Sequence, residues 1–241
     1  MRAKIKKKKN LIFIAGTDTG VGKTILSGCL ARYLSGKGKK VITQKWIQTG
    51  SDSIFSSDIK VHLELMGLRF KDVEKYSAHL LPYAFKIPAS AHLAAKLENK
   101  SINPDKIKKS LVFLAGEFDF VLVEGLGGAL VPFSEKGLVI DLVKELDIPV
   151  LIVARNQLGS INHTLLTIEA LTARKIRVLG LVFNNTAGER RVILEDNPRI
   201  IKKLSGQRVF GTLARHPSYE KIYEEFRPIG RKITEAILHD G

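Results

Sequence analysis

The sequence predicts an α/β fold in which a mostly parallel β-sheet is flanked by helices on both faces. Three observations carry that prediction. Short apolar runs alternate with longer stretches of helical period. The runs are apolar throughout rather than at every second residue, as strands covered on both faces must be. The first run passes directly into a glycine-rich turn and then a helical pattern. The chain has 241 residues, 44% hydrophobic and 26% charged. That length suits one domain, or two small ones. The composition excludes a disordered chain, a collagen-like repeat and a multi-span membrane protein.

Taken in order, Leu11–Ala15 is a continuous apolar run bounded by glycine and reads as a buried strand. Lys23–Leu34 reads as a helix, ended by Ser35-Gly36-Lys37-Gly38. Val41–Gln44 is a second strand. Helical patterns then run over Asp58–Met66, Ala91–Leu97 and Pro104–Ala115. Residues 46–100 hold no clear strand and read as an elaborated insertion. Phe120–Val123, Val150–Ala154 and Val178–Phe183 are further strands, with Val209–Leu213 a weaker sixth. The helices between them are Leu138–Leu146, Ile161–Ala173 and Arg190–Leu204. With no internal repeat and no long low-complexity linker, residues 11–241 are expected to form a single domain behind a basic tail, residues 1–10.

Lysine and arginine number 39 against 24 acidic residues, giving +15. Six of those positive charges stand within the first nine residues, from Arg2 to Lys9, so the rest of the chain is basic as well. Such a surface attracts polyanions: nucleic acid, or nucleotide phosphates and an anionic metabolite. The aromatic residues make no basic–aromatic stripe, so no specific nucleic acid is expected, and the lysine run reads as a solvated arm. The apolar run behind it is shorter than the roughly 7–15 residues of a signal peptide. No run approaches the roughly 18 residues of a membrane span. A soluble, cytoplasmic protein without membrane attachment is expected. The single cysteine, Cys29, makes no intramolecular disulfide and reads as a buried thiol in a helix.

The first strand leads into Gly16-Thr17-Asp18-Thr19-Gly20-Val21-Gly22-Lys23-Thr24. Glycines bring backbone N–H groups close to phosphate oxygens, and the following helix N-terminus adds its partial positive charge. In a phosphate loop of this kind Lys23 bridges the β- and γ-phosphates and the Thr24 hydroxyl ligates Mg²⁺. The fold class is thereby P-loop NTPase-type. One spacing differs from the common pattern, since the first glycine is Gly16 and Thr17 stands where a glycine is usual. Phe120–Val123 ends in Glu124, followed by Gly125, Leu126, Gly127 and Gly128. Strand C-termini of a parallel sheet share one crevice, so Glu124 is a candidate metal ligand, and the glycines suit a loop that passes close to a ligand. Asp58 is a second candidate; Ser56-Ser57-Asp58 equally suits a helix N-cap. Lys45, at the end of the second strand, is placed to stabilise a transferring phosphoryl group, or is simply one of many solvated lysines.

Together these blocks resemble the dethiobiotin synthetase family. Gly16–Thr24 follows that family's loop, shifted glycine included. Lys45, Thr49 and Gly50 match its next segment, and Ser57-Asp58 its Ser-Asp pair. Pro82, Tyr83, Phe85, Pro88, Ser90 and His92 match a further block; Val123–Gly128 and Leu158-Gly159-Ser160-Ile161-Asn162-His163 match two more. The resemblance implies a homodimeric ligase that closes a cyclic urea from 7,8-diaminopelargonate, CO2 (or bicarbonate) and ATP. It implies Lys23 and Lys45 as catalytic cations, with Thr24, Asp58 and Glu124 on Mg²⁺. It implies nucleotide contacts from Gly20, Val21, Gly22, Lys23, Thr24, Ile25, Asp58, Glu124, Gly125, Leu126 and Gly127. Asn184 and Asn185, with Ala214, Arg215 and His216, are implied at the adenine. Thr19, Thr49, Ser160, Ile161 and Asn162 are implied at the diamine, the last three reaching the tail carboxylate from the partner subunit. His92 and His163 read as structural histidines. Trp46, Ala91 and Ala214 stand where the family has proline. Two other functions are weighed against this one. A partition or positioning ATPase binding DNA or membrane carries a loop lysine where this chain has Asp18. Another ligase of the same fold would lack the Lys45…Thr49 and Ile161-Asn162-His163 pairing.

Overall fold

In the computed structural model residues 11–51, 53 and 57–239 are described. The basic tail, residues 1–10, and Ser56 of the Ser-Ser-Asp cap lie outside them. Strand β1 (Leu11–Gly16) is buried along its whole length. Leu11, Phe13 and Ala15 face one core and Ile12 and Ile14 the other. That is the two-residue period of a strand with a layer on each side. Helix α1 (Lys23–Ser35) starts at once after the turn and lays Leu26, Leu30 and Leu34 on the second core. Strand β2 (Val41–Lys45) follows, fully buried.

The insertion is more ordered than its sequence suggests. Strands β3 (Ile47–Thr49) and β4 (Tyr83–Phe85) pair in parallel. At three residues each they are too short for alternation to be read. Between them run α2 (Ser57–Met66), two 3₁₀ turns and α3 (Ser77–Leu80). Helices α4 (Ala91–Leu97) and α5 (Pro104–Glu117) complete it, the latter capped by the Asn103 side chain with proline in its first turn. Strand β5 (Phe120–Gly128) runs between β1 and β2. A short antiparallel ribbon, β6 (Pro132–Ser134) with β7 (Gly137–Leu138), leads to α6 (Val139–Glu145). Then come β8 (Val150–Asn156), α7 (Ser160–Ala173), β9 (Val178–Asn185), α8 (Arg191–Ser205) and β10 (Val209–Leu213). The main sheet has the order β10-β9-β8-β1-β5-β2, and every pairing in it is parallel.

The C-terminal helix α9 (Tyr219–His239) has 21 residues. The sequence reading assigns no helix there, and Pro228 and Gly230 stand inside this one. Tertiary packing overrides them: Ile222, Phe226, Ile229 and Ile233 return every three or four residues to one buried stripe against α1 and the sheet. Gly230 is required by the contact itself, since a Cβ there would lie 2.8 Å from Tyr33 Cγ. Phe226 is fully buried. Phe226→Ala is expected to lower unfolding free energy by about 3–5 kcal/mol, measured by urea titration. Among the described residues, no helix is long and apolar enough to cross a membrane.

Candidate active site

Because the main sheet is parallel, the C-terminal ends of β1, β2, β5, β8 and β9 open on one side, and the candidate residues collect there. The glycine-rich turn spans the gap from β1 to α1. Gly22 precedes the helix in the left-handed region, with φ 98°, and offers no side-chain cap. No acidic residue stands in the first turn of α1, so its free N–H groups and dipole face the crevice unneutralised. The Lys23 ammonium folds back over the loop, donating to the carbonyls of Asp18 at 3.1 Å and Gly127 at 2.9 Å. This explains the shifted glycine. A Cβ on residue 16 would lie 2.8 Å from Lys23 Nζ and 2.7 Å from the Asp18 carbonyl. Burial, and next the Lys45 charge, bring the Lys23 ammonium down to about 8.

The register of the sheet sets Lys45 directly beside Glu124. Lys45 Nζ lies 2.6 Å from Glu124 Oε1 and 3.0 Å from Asp58 Oδ2, and donates to the Gly125 carbonyl at 3.1 Å. The Thr24 hydroxyl lies 3.1 Å from both Asp58 Oδ1 and Glu124 Oε1. Lys45 is thus buried and paired, not solvated. Asp58 joins this cluster through Lys45 and Thr24, and it also stands in the first turn of α2. Burial acts to lower the Lys45 ammonium, but Glu124 and Asp58 outweigh it and hold it above its ordinary value. Burial acts to raise the Glu124 carboxyl, and Lys45 with His62 outweighs that, holding it at about 2.

That low value has a consequence for stability. With its folded pKa below the unfolded one, Glu124 stabilises the fold fully above the ordinary carboxylate range, near 4.5, and progressively less as pH falls towards about 2. The gap in unfolding free energy between the native chain and Glu124→Gln is expected to narrow below pH 4.5. Urea titrations at several acid pH values measure it; a gap constant with pH would contradict it.

His62 is the main residue the sequence did not disclose. It is completely buried on α2, with Nε2 2.7 Å from Glu124 Oε2. The available signal was its spacing: four residues after Asp58, it shares a helix face with a candidate ligand. Arg155 is the second. It is the penultimate residue of β8, and donates to the Thr19 carbonyl at 3.2 Å.

Beside the loop lies a cavity of about 480 Å³, lined by Gly20, Val21, Gly22, Ile25, Arg155, Asn184, Asn185, Ala214 and Arg215, with Thr186, Ala187, Leu213 and Ile222. The Asn184 amide donates to the Val21 carbonyl. His216 is not on this wall: its Nε2 meets Glu225 Oε2 at 2.7 Å, and the same carboxylate accepts from the Ala214 N–H. A second cavity of about 120 Å³ lies between the loop and the start of α7, lined by Thr17, Asp18, Arg155, Ser160 and His163 among others. Gly159 precedes α7 with φ 86° and no side-chain cap. The Ser160 hydroxyl is held by Asn197 at 3.2 Å, Ile161 is half-buried and Asn162 exposed. Thr19 is exposed and Thr49 half-buried on β3; Leu126 packs on the core. His163 is exposed rather than packed, whereas His92 bonds Ser90 Oγ at 3.1 Å. Cys29 is buried and its thiol pushed up to about 12. Trp46 turns into the core, 5.2 Å from the Phe13 ring, and donates to Gln44 at 2.9 Å.

Residues 10–222 match the family AAA_26, described as an AAA domain. The "ATP-dependent dethiobiotin synthetase BioD 2" of Haemophilus influenzae is 44% identical over 174 residues, covering 72% of this chain and 90% of that protein. The "ATP-dependent dethiobiotin synthetase BioD" of Clostridium perfringens is 34% identical over 87% of this chain and 92% of that protein. The chain belongs to the ATP-dependent dethiobiotin synthetase family. It is therefore an ATP-dependent ligase of the P-loop fold. Solved structures similar in fold include a pNOB8 ParA bound to nonspecific DNA, with TM-score 0.59, 15% identity and coverage of 96% of this chain and 99% of that one. A ParA family ATPase from Chlorobium tepidum superposes with TM-score 0.56, 15% identity and coverage of 96% and 98%. At that identity the likeness is one of fold alone.

Proposed function

We propose that this protein, working in the cytoplasm as one domain over residues 11–241 and as a homodimer, closes the cyclic urea of dethiobiotin from 7,8-diaminopelargonate, CO2 and ATP. The observation that carries the reading is the cluster of Lys45, Glu124, Asp58 and Thr24 beside the Lys23 loop. A carbamate forms on one amine of the diamine. Its oxygen attacks the γ-phosphorus, the bond to the β-phosphate oxygen breaks, and ADP leaves. The second amine attacks the carbamic carbon of the resulting carbamic–phosphoric anhydride, losing a proton, and phosphate departs as the ring closes. The protein's task in such chemistry is to place the reactants and neutralise phosphoryl charge.

Lys23 and the α1 N-terminus hold the phosphates, and Lys45 exchanges its carboxylate partners for phosphoryl oxygens. The set of one hydroxyl and two carboxylates, already gathered around a cation, consists of hard oxygen donors. Such donors fit Mg²⁺, which takes one or two carboxylates together with substrate phosphates. Thr24, Asp58 and Glu124 would hold it, and it would supply charge neutralisation at the phosphates. Gly20, Val21, Gly22, Ile25 and the 125–127 turn line the nucleotide. Asn184 and Asn185, with Ala214 and Arg215, take its base, while His216 supports that loop through Glu225. Thr19 and Thr49 contact the diamine or its carbamate. The partner's α7 N-terminus (residues 160–162) takes the tail carboxylate, consistent with its uncapped N–H groups.

Phosphate release from ATP and Mg²⁺ tests this, with and without the diamine and bicarbonate. Release that needs both, with dethiobiotin appearing, is expected. ATP hydrolysis indifferent to the diamine but stimulated by DNA or lipid would overturn it in favour of a positioning ATPase.

A further inference from the structure

The Glu124 carboxylate has two differently employed oxygens. Oε1 faces Lys45 Nζ at 2.6 Å and Thr24 Oγ1 at 3.1 Å, on the crevice side. Oε2 is taken by His62 Nε2 at 2.7 Å. His62 has no exposed surface and its Nδ1 has no partner among the described residues, so Nε2 carries the proton given to Glu124. Turning the carboxylate to offer both oxygens to the crevice would leave this buried N–H without an acceptor, and buried donors are rarely left so. We infer that His62 is a positioning residue that fixes Glu124 as a one-oxygen ligand and thereby favours Mg²⁺ over Ca²⁺ at this site. Mg²⁺ demands near-ideal octahedral geometry, whereas Ca²⁺ readily accepts both oxygens of one carboxylate in a larger shell. The groups that orient a metal's ligands govern affinity and choice of ion nearly as strongly as the ligands do. His62 does this from inside the core, where α2 also supplies Asp58 four residues earlier. The inference rests on the reading of Glu124 as a metal ligand.

The test uses the full chain with a non-hydrolysable ATP analogue. Mn²⁺ binding is read by electron paramagnetic resonance, and Mg²⁺ and Ca²⁺ by competition against it. In His62→Leu, Mn²⁺ and Mg²⁺ affinity is expected to fall about 10–100-fold, with Ca²⁺ affinity falling much less, so the preference shrinks. His62→Gln keeps an amide donor and is expected to recover most of both. Thermal unfolding accompanies each variant; if His62→Leu does not fold, His62→Met takes its place as the apolar filler. Unchanged Mn²⁺ and Mg²⁺ affinity in the apolar variant would overturn the inference, as would equal losses in the apolar and glutamine variants. Glu124→Gln separates the two levels. If it loses Mn²⁺ while the apolar variant does not, only the role of His62 fails. If it keeps Mn²⁺, the reading of Glu124 as a ligand fails.

Discussion

Lys45→Gln is expected to lower kcat by about 10³-fold or more while nucleotide affinity moves by less than about tenfold. The asymmetry follows from where the side chain stands. Lys45 is buried with its ammonium 2.6 Å from Glu124 and 3.0 Å from Asp58. In that state it touches the carboxylates, whereas Lys23 bonds the carbonyls of Asp18 and Gly127 at the glycine-rich loop. Ground-state nucleotide binding therefore has its own cation. In the reaction proposed above, Lys45 is needed when negative charge is redistributed over the phosphoryl oxygens. Glutamine can hydrogen-bond there but brings no charge, and in a water-poor site the charge is most of the effect. Steady-state turnover with calorimetric titration of a non-hydrolysable nucleotide reads both quantities. Equal losses would make Lys45 a ground-state ligand instead. The variant also removes the cation from between two carboxylates, so a lower melting temperature is expected beside the kinetic loss, and nucleotide titrations belong well below it.

The cluster around Lys45 was legible in large part because its residues follow apolar runs that sequence can mark. Gly16–Thr24, Lys45 and Glu124 all close apolar runs, and parallel topology does the rest. Asp58 was ambiguous because a carboxylate at a helix start has a local explanation, and only the fold brings it to Lys45. His62 was silent for a different reason. It stands among Ile59 and Leu63 on a buried face, where one polar residue in an apolar stripe looks like packing. The α9 helix was hidden by local signals, Pro228 and Gly230, that point against the structure its buried stripe enforces. Strands β3 and β4 were hidden by shortness. Trp46 shows the limit of reading a substitution by position alone: it neighbours Lys45 in sequence, yet it sits at the bend between β2 and β3 and its side chain joins Phe13 in the core.

Gly22→Ala is expected to weaken nucleotide binding by about tenfold or more through two separable effects. The first is conformational. Residue 22 has φ 98°, a region that costs any residue with a Cβ about 1–3 kcal/mol. Relaxing φ re-aims the N–H groups that open α1. The second is spatial. A Cβ at residue 22 would lie 1.8 Å from the Asn184 amide nitrogen, so Asn184 must give up its bond to the Val21 carbonyl and swing into the nucleotide cavity it lines. A double-mutant cycle separates the two. Asn184→Ala alone removes the amide without touching the loop. Combined with Gly22→Ala it relieves the clash but not the backbone strain. The double variant is expected to lose less than the sum of the singles, the shortfall measuring the clash. Strictly additive losses would mean that the loop, and not its contact with β9, determines the glycine at this position.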